Sequence, residues 1–481
     1  MRRGRRCSQS PKLGGTEGGW LLAGWLWPAL LGYSHLITMS SFVAVPLFFF
    51  APALITPTAA PWLRSRPVMS ATAAATPVLA ADEAWIQQLD LEAFGTEVRA
   101  LGKRLANEEG EADLQHFNKI RNWSRLCGFI GIATMALPPN PLTICALSTW
   151  IYSRWTMIAH HTCHGGYDQH GVEGDGWRFR ARNFALGGAA SRARDWLDWM
   201  LPEAWNLEHN VLHHYKLGEE GDPDLVERNL EFVRKWPYPL AVKYAFVGVM
   251  SGIWKWVYYA PNTYKQLKIA EHTKATGAPP DAPGFDPLEA LTLGKLLRRA
   301  ELRGGLFTPV EFFSRVLMPV ALLRFVLLPA PLLLLPGGLG TACFVHAVVN
   351  LLFADVLTNM HAFLTIVTNH AGSDLYRFDT QCAPNSPEFF LRQVLSSANY
   401  RTGSDSNDFL HGWLNYQTEH HCWPTLSMLS YQRAAPELRA ICAKHGVPYT
   451  QESVWIRLRK TVDIMVGKAS MRRFPAAALK R

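Results

Sequence analysis

Four apolar runs, arranged in two pairs and broken by proline or glycine, limit this chain to a small set of folds. Leu126 to Leu137 and Leu142 to Ile158 are separated by Pro138, Pro139, Asn140 and Pro141, which no continuous helix accepts. Val310 to Leu335 and Cys343 to Val367 are broken at Pro336, Gly337 and Gly338. Each pair reads as a helical hairpin, although the first two runs are short of the ~20 residues that a ~30 Å hydrocarbon core asks for. The expected fold is an all-α polytopic membrane protein with about four transmembrane helices in two hairpins. Interfacial helices and a histidine-rich cap on the cytosolic or stromal side complete it. A hydrophobic content of 48%, with 18 Trp and 24 Phe, fits that class better than a string of soluble domains.

The rest of the chain divides by composition. Residues 1–80 contain one acidic residue, Glu17, among many Arg, Ser, Ala and Thr, and read as a targeting presequence or a disordered N-terminus. Residues 81–118 form an amphipathic helical segment, 119–435 the membrane catalytic domain and 436–481 a basic tail. Tyr238 to Tyr259 is aromatic but interrupted by Lys243 and Lys255, which suits a helix lying in the interface. The net charge of +9 is compatible with basic loops near anionic headgroups, and no nucleic-acid module is visible. Eight scattered Cys without a CxxC indicate neither a disulfide scaffold nor a zinc ribbon.

Of the 17 His, eight fall in three short windows: His160, His161 and His164; His209, His213 and His214; His420 and His421. Two apolar runs precede the first window, none is needed between the first and second, and two more return the chain before the third. All three windows are therefore expected on one side of the membrane. His160 and His164, and likewise His209 and His213, are four residues apart and would share a helical face. His214 follows His213 directly, which lets neighbouring rings turn toward different ions. Gln417 lies one turn before His421. An all-imidazole shell suits iron, zinc or copper, and so many neutral imidazoles exceed what one four-coordinate zinc requires, so two metals are expected. A further ligand is expected from the end of the last span, where His370 is the choice; His361 lies ~13 Å back along the helix and is the weaker candidate. Asp168, Glu208, Asp222, Asp224 and Glu419 are candidates to accept the second ring N–H of a ligating histidine.

These residues resemble the membrane fatty-acid desaturase family, whose signature is three histidine boxes. Here they read HHTCH from His160, HNVLHH from His209 and QTEHH from Gln417, with the context from Trp413 to Pro424 similar to acyl-lipid and front-end desaturases. The resemblance covers about residues 120 to 435. His161 stands where Asp is common, the second box has one extra residue before its His pair, and no HPGG haem motif of a fused cytochrome b5 domain occurs. The resemblance implies a di-iron centre with ligands His160, His164, His209, His213, His214, His370, His420 and His421, with His161, His361 and Gln417 as further candidates.

The implied activity is O2-dependent desaturation of an acyl chain in a membrane lipid, with electrons from cytochrome b5 or ferredoxin, in the endoplasmic reticulum or a plastid membrane. An unactivated C–H bond lies beyond side-chain acids and bases, so the metal must supply the oxidant. The spans Leu142 to Ile158 and Val310 to Leu335 are expected to bury the acyl chain, and Arg154, Trp155, Lys255 and Trp256 to hold the headgroup. The competing readings are a di-iron hydroxylase or ketolase, and, from another class, a membrane metal-binding or transport protein.

Overall fold

The computed structural model describes residues 81–169 and 178–475, with Ala477 and Leu479. The expected presequence and His170 lie outside them. Helix α1, Leu91–Glu108, starts at Asp90, whose carboxylate accepts the Ala93 N–H at 3.0 Å. Phe94, Val98, Leu101 and Leu105 recur at helical spacing and are buried. On the same helix a Cβ at Gly102 would meet the Trp423 indole nitrogen at 2.2 Å. The absence of a side chain there lets the amphipathic helix lie directly on the third histidine box.

Helices α2, Glu111–Thr134, and α3 form the first hairpin. Helix α3 runs Pro141–Ser153, passes through a π-helical stretch Arg154–Ala159 and ends at His160–Cys163. Proline sits at its first turn and Asn140 caps it through the Thr143 N–H at 3.0 Å, while the Thr143 and Thr134 hydroxyls bond across the turn at 2.8 Å. The second hairpin consists of α4, Pro309–Leu334, and α5, Gly338–Ile366. Polar contacts dock α5 against α3: Ser148 to Thr358 at 3.1 Å and Tyr152 to Thr365 at 2.7 Å.

Among the described residues, two helical segments, Pro309–Leu334 and Gly338–Asn369, are long and apolar enough to cross a membrane. The first hairpin falls short of that measure, because Lys119, Arg121 and Arg125 occupy the middle of α2 and leave only its last turns apolar. Among the described residues the protein is predominantly helical, and its two membrane-capable helices form the second of the two expected hairpins.

The aromatic segment also departs from expectation. It forms an apolar helix, Leu240–Ser251, followed by a π-helical turn Lys255–Tyr259 that leads into Ala260–Thr276. Both of its lysines are buried and turned inward: Lys243 donates to the Arg234 carbonyl at 2.7 Å and Lys255 pairs with Asp198 at 2.7 Å. Neither serves as an interfacial anchor.

Residues after 435 are folded into the protein. Residue 436, expected to open a tail, lies inside helix Met428–Lys444. Two short parallel strand pairs then fix the chain, Tyr376–Arg377 with Arg472–Arg473 and Asn399–Tyr400 with Gln451–Glu452. Arg457, fully buried, binds Asp374 at 2.8 Å and the Ala371 carbonyl at 3.0 Å, and so holds the turn that follows His370.

Candidate metal centre

The π-helical stretches place the first two histidine boxes. The stretch Arg154–Ala159 ends immediately before His160, and the stretch Asn206–His213 carries His209 and His213, with His214 directly after it. A π-turn adds a residue to the repeat, so the side chain five positions on returns to the same side. His209 and His214, five apart, thus come together with ring centroids 4.8 Å apart, while His209 and His213 stand at 5.4 Å. His209 and His213, expected on one helical face, also stay within reach of each other: ring nitrogens of both and an Asp224 oxygen lie within 4.8 Å. At the third box, Gly412 and Trp413 both have positive φ (+69° and +59°) and turn the chain into helix Gln417–Cys422. The buried Trp413 is held in that strained conformation by its indole bond to the Met428 carbonyl at 3.1 Å.

Three distant segments thereby meet. His160, His164, His209, His214 and His420 each offer a ring nitrogen, all within 4.8 Å of one another. His213, His370 and His421 form a second set on the same criterion. The sets are contiguous, with His214 stacked on His421 at 4.2 Å. The Gln417 amide nitrogen lies 2.9 Å from His370 Nε2, at the edge of the second set. His161 and His361 belong to neither: His161 Nδ1–H donates to the Met157 carbonyl at 2.9 Å, and His361 Nε2–H donates to the Leu410 carbonyl at 2.7 Å while stacking on Tyr152.

The outer hydrogen bonds fix which nitrogen of each ring is free. Nδ1–H donates to the Thr156 carbonyl from His160 (3.2 Å), to Asp222 Oδ1 from His213 (2.9 Å) and to the Ser396 carbonyl from His370 (3.1 Å). It donates to the Tyr431 hydroxyl oxygen from His420 and to Gln393 Oε1 from His421, both at 3.2 Å. In each ring the proton is committed outward, so Nε2 carries a lone pair pointing inward. The Nε2 atoms of His164, His214, His420 and His421 are buried without a protein partner, and His209 and His160 face each other Nε2 to Nε2 at 2.9 Å. Converging lone pairs repel, and buried nitrogens without partners are costly. A cation in each set resolves both problems, so the residues fit a pair of metals.

Electrostatics agree. Burial holds His209, His214, His420 and His421 well below the ordinary imidazole range and takes His370 to about 3, keeping them neutral and able to ligate. Burial also works against a charged His213, but the Asp222 carboxylate outweighs it and raises that ring above its ordinary value. Of the carboxylates expected to orient ligands, Asp222 does so. Asp224 stands 4.0 Å from His213 Nδ1, and Glu208 accepts from the Tyr259 hydroxyl at 3.1 Å. Glu419 accepts from Asn399 and Tyr449, and Asp168 from the Ala181 N–H. Gln393, Tyr431 and the Ser396 carbonyl were not foreseen; they lie far along the chain from the rings they serve, and nothing local marks them.

A cavity of about 710 Å³ adjoins both sets, with His160, His209, His213, His370 and Gln417 in its wall. That volume lies within the ~300–1,000 Å³ of small-ligand sites. The remaining lining is mainly apolar and comes from residues 155–156, 226–259, 292–298 and 363–367, with Trp205, Asp224, Leu414 and Met465. Residues 310–335, expected to help bury an acyl chain, contribute none of it. Lys255 is occupied by Asp198 and Arg154 by the Arg194 carbonyl, so neither is free to bind a headgroup as expected.

Comparison with known proteins agrees with the geometry. The family model for fatty acid desaturase matches residues 136–453. Acyl-lipid (8-3)-desaturase B of Dictyostelium discoideum is 22% identical over 51% of this chain and 49% of its own length. The NADPH-dependent stearoyl-CoA 9-desaturase of Mycobacterium tuberculosis is 27% identical over 36% of this chain and 40% of its own. Acyl-lipid (9-3)-desaturase of Physcomitrium patens is 29% identical over 24% and 21%. The chain thus spans a fifth to a half of the length of these relatives, and no solved structure matches it. With three boxes converging on two imidazole sets beside an apolar cavity, and a family match over most of its folded length, the chain belongs to the fatty acid desaturase family.

Proposed function

We propose that this protein introduces a cis double bond into the acyl chain of a membrane lipid. The observation that carries the reading is the contact between two imidazole donor sets and one apolar cavity. Two irons bound in those sets would supply the O2-dependent oxidant that an unactivated C–H bond requires. The protein's residues do the rest. His160, His164, His209, His214 and His420 would hold one ion, and His213, His370 and His421 the other, with Gln417 beside the second. Asp222, Gln393, Tyr431 and the Thr156 and Ser396 carbonyls keep the rings in the ligating tautomer. The cavity walls exclude water and hold two adjacent methylenes against the donor sets, where position decides which bond reacts.

Overall, one saturated CH2–CH2 unit, O2, two electrons and two protons give one CH=CH unit and two waters. The electrons come from a separate carrier, cytochrome b5 in the endoplasmic reticulum or ferredoxin in a plastid. The acyl-lipid and stearoyl-CoA relatives support the desaturase reading.

Expression of residues 80–481 in yeast, with fatty acids profiled by mass spectrometry under labelled O2, tests it. A new unsaturated lipid without label, absent with His213→Ala, is the expected result. Label retained in the lipid would instead identify a hydroxylase.

A further inference from the structure

Helix Val454–Met465 turns one face into the protein and one away from it. Val454, Arg457, Thr461, Ile464 and Met465 are buried. Arg457 and Thr461 donate to the Ala371 carbonyl at 3.0 and 2.8 Å, in the turn that follows His370, and Met465 stands in the cavity wall. On the opposite face Trp455 is 66% exposed and Ile456 41%. Arg459, one turn after Trp455, is exposed and has no hydrogen bond or ion pair among the described residues.

A single exposed apolar side chain needs no explanation, but these two belong to a larger surface. The helix crosses the end of α5, where Thr461 also reaches the Thr368 carbonyl at 3.4 Å. On one side it meets helix Leu240–Ser251, whose Tyr244 hydroxyl donates to Asp463 at 2.6 Å. That helix packs on α5 in turn: a Cβ at Gly252, just past its end, would lie 3.3 Å from Val356, and the Trp254 indole donates to the Asn359 carbonyl at 2.9 Å. Leu240, Val242 and Val249 are exposed along it, as Leu352, Phe353 and Met360 are along α5. On the other side Ile456 lines a surface depression with Arg401 and Thr402. The segment that follows them returns to α5 at Leu410, which is 60% exposed and accepts the His361 Nε2–H on its carbonyl at 2.7 Å. Exposed apolar surface therefore runs from a membrane-capable helix onto both neighbours of Val454–Met465. An aromatic ring with a cation one turn away, at the place where such a helix ends, is the combination that anchors proteins in the headgroup layer.

We propose that the outer face of helix Val454–Met465 lies in the headgroup layer of the membrane, with Trp455 and Ile456 on the acyl boundary and the Arg459 guanidinium on lipid phosphate. The inner face holds the turn after His370 and part of the cavity wall, so this anchor fixes the depth of the second donor set against the lipid. The inference does not depend on which reaction the site performs.

The test uses the full chain in nanodiscs of phosphatidylcholine and phosphatidylglycerol. A nitroxide is attached through a genetically encoded keto side chain at Trp455, at Ile456 and at two references, the half-exposed Glu437 of helix Met428–Lys444 for water and Phe353 of α5 for lipid. Relaxation by O2, which concentrates in lipid, is compared with relaxation by a water-soluble nickel chelate. At 455 and 456 the O2 effect is expected to exceed the nickel effect, giving a ratio above that of Glu437 and below that of Phe353. Arg459→Glu sets a carboxylate against lipid phosphate and is expected to shift the ratio at 455 toward the water reference. A ratio at 455 and 456 equal to that of Glu437 overturns the proposal. So does protection of both positions from both reagents, which would mark a protein or another part of the chain as the occupant. An unchanged ratio in Arg459→Glu overturns the phosphate contact. These readings need no turnover, so a chain that makes no unsaturated product overturns the functional reading and leaves this one standing.

Discussion

Replacing Asp222 by Asn removes one charge from the second donor set while keeping the shape of the side chain. Asp222 accepts the His213 Nδ1–H at 2.9 Å and the amides of Gly218 and Asp224 at 3.0 and 2.9 Å. Asn has one acceptor oxygen where Asp has two, so turned toward His213 and Asp224 it gives up the Gly218 bond, and the expected losses are that bond and the charge behind His213. Both side chains are buried, so a charge-assisted bond here is worth roughly 1.5–3 kcal/mol without much solvent screening. At about 1.4 kcal/mol per decade this is a tenfold to hundredfold weaker affinity for the second metal, the size expected for losing a carboxylate behind a histidine ligand. Burial alone would raise Asp222, but His213 and the two amides hold it below the ordinary carboxylate range. The difference between wild type and variant should therefore persist into mildly acidic solution. Anaerobic Fe(II) titration of the metal-free protein reads it directly, as one unchanged and one weakened class of site. Equal affinities in Asp222→Asn and wild type would refute the claim that this carboxylate sets the basicity and tautomer of His213.

Further outcomes follow from the same structure. Metal-free protein should be acid-labile: with unfolded imidazoles near ~6.5 and the buried ones held lower, the unfolded state binds more protons, so stability is full above pH ~6.5 and falls below it, down to about 3 for His370. His213, whose value is raised, works in the opposite sense, but it is one ring against His209, His214, His370, His420 and His421; unchanged thermal stability between pH 7 and 5 would contradict this. Arg324→Met should cost ~3–5 kcal/mol by leaving Asp355 charged and unpaired between two membrane helices, and adding Asp355→Leu should recover most of it, as read by denaturation in detergent. His361→Phe keeps the stack on Tyr152 and loses only the Leu410 bond, so metal content should be unchanged; loss of metal would return His361 to the ligand set.

How much of this the sequence disclosed depends on the range of the interactions involved. The histidine boxes and the hairpin breaks at Pro138 to Pro141 and Pro336 to Gly338 are local signals, and counting apolar runs gave the expectation that the boxes lie together, as they do. The division of rings between the two sets was not legible. It follows from the π-helical backbone of Asn206–His213, which keeps His209 near His213 and also brings His214 to it, whereas an α-helical repeat predicts only the first. Of the two spans expected to bury an acyl chain, Leu142 to Ile158 reaches the cavity through Trp155 and Thr156 and Val310 to Leu335 does not, because hydropathy marks what can face lipid, whereas much of the cavity is lined by Trp, Tyr and Phe from segments that also carry Lys255 and Asp224. Lys243 and Lys255, as charges interrupting an apolar segment, suggested an interfacial helix for the same reason; their partners, the Arg234 carbonyl and Asp198, are set by tertiary packing. Arg457 and Met465 show that the C-terminal segment supports the site, one behind His370 and the other in the cavity wall, which composition alone could not reveal.

The central claim is that two neighbouring imidazole cages each hold one iron, and metal stoichiometry tests it most directly. Purified full-length protein is expected to contain two irons per chain by elemental mass spectrometry, falling to one in His164→Ala, which opens the first set, and to one in His421→Ala, which opens the second. A single metal per chain in the wild type, zinc in place of iron, or either variant retaining both ions would contradict the account.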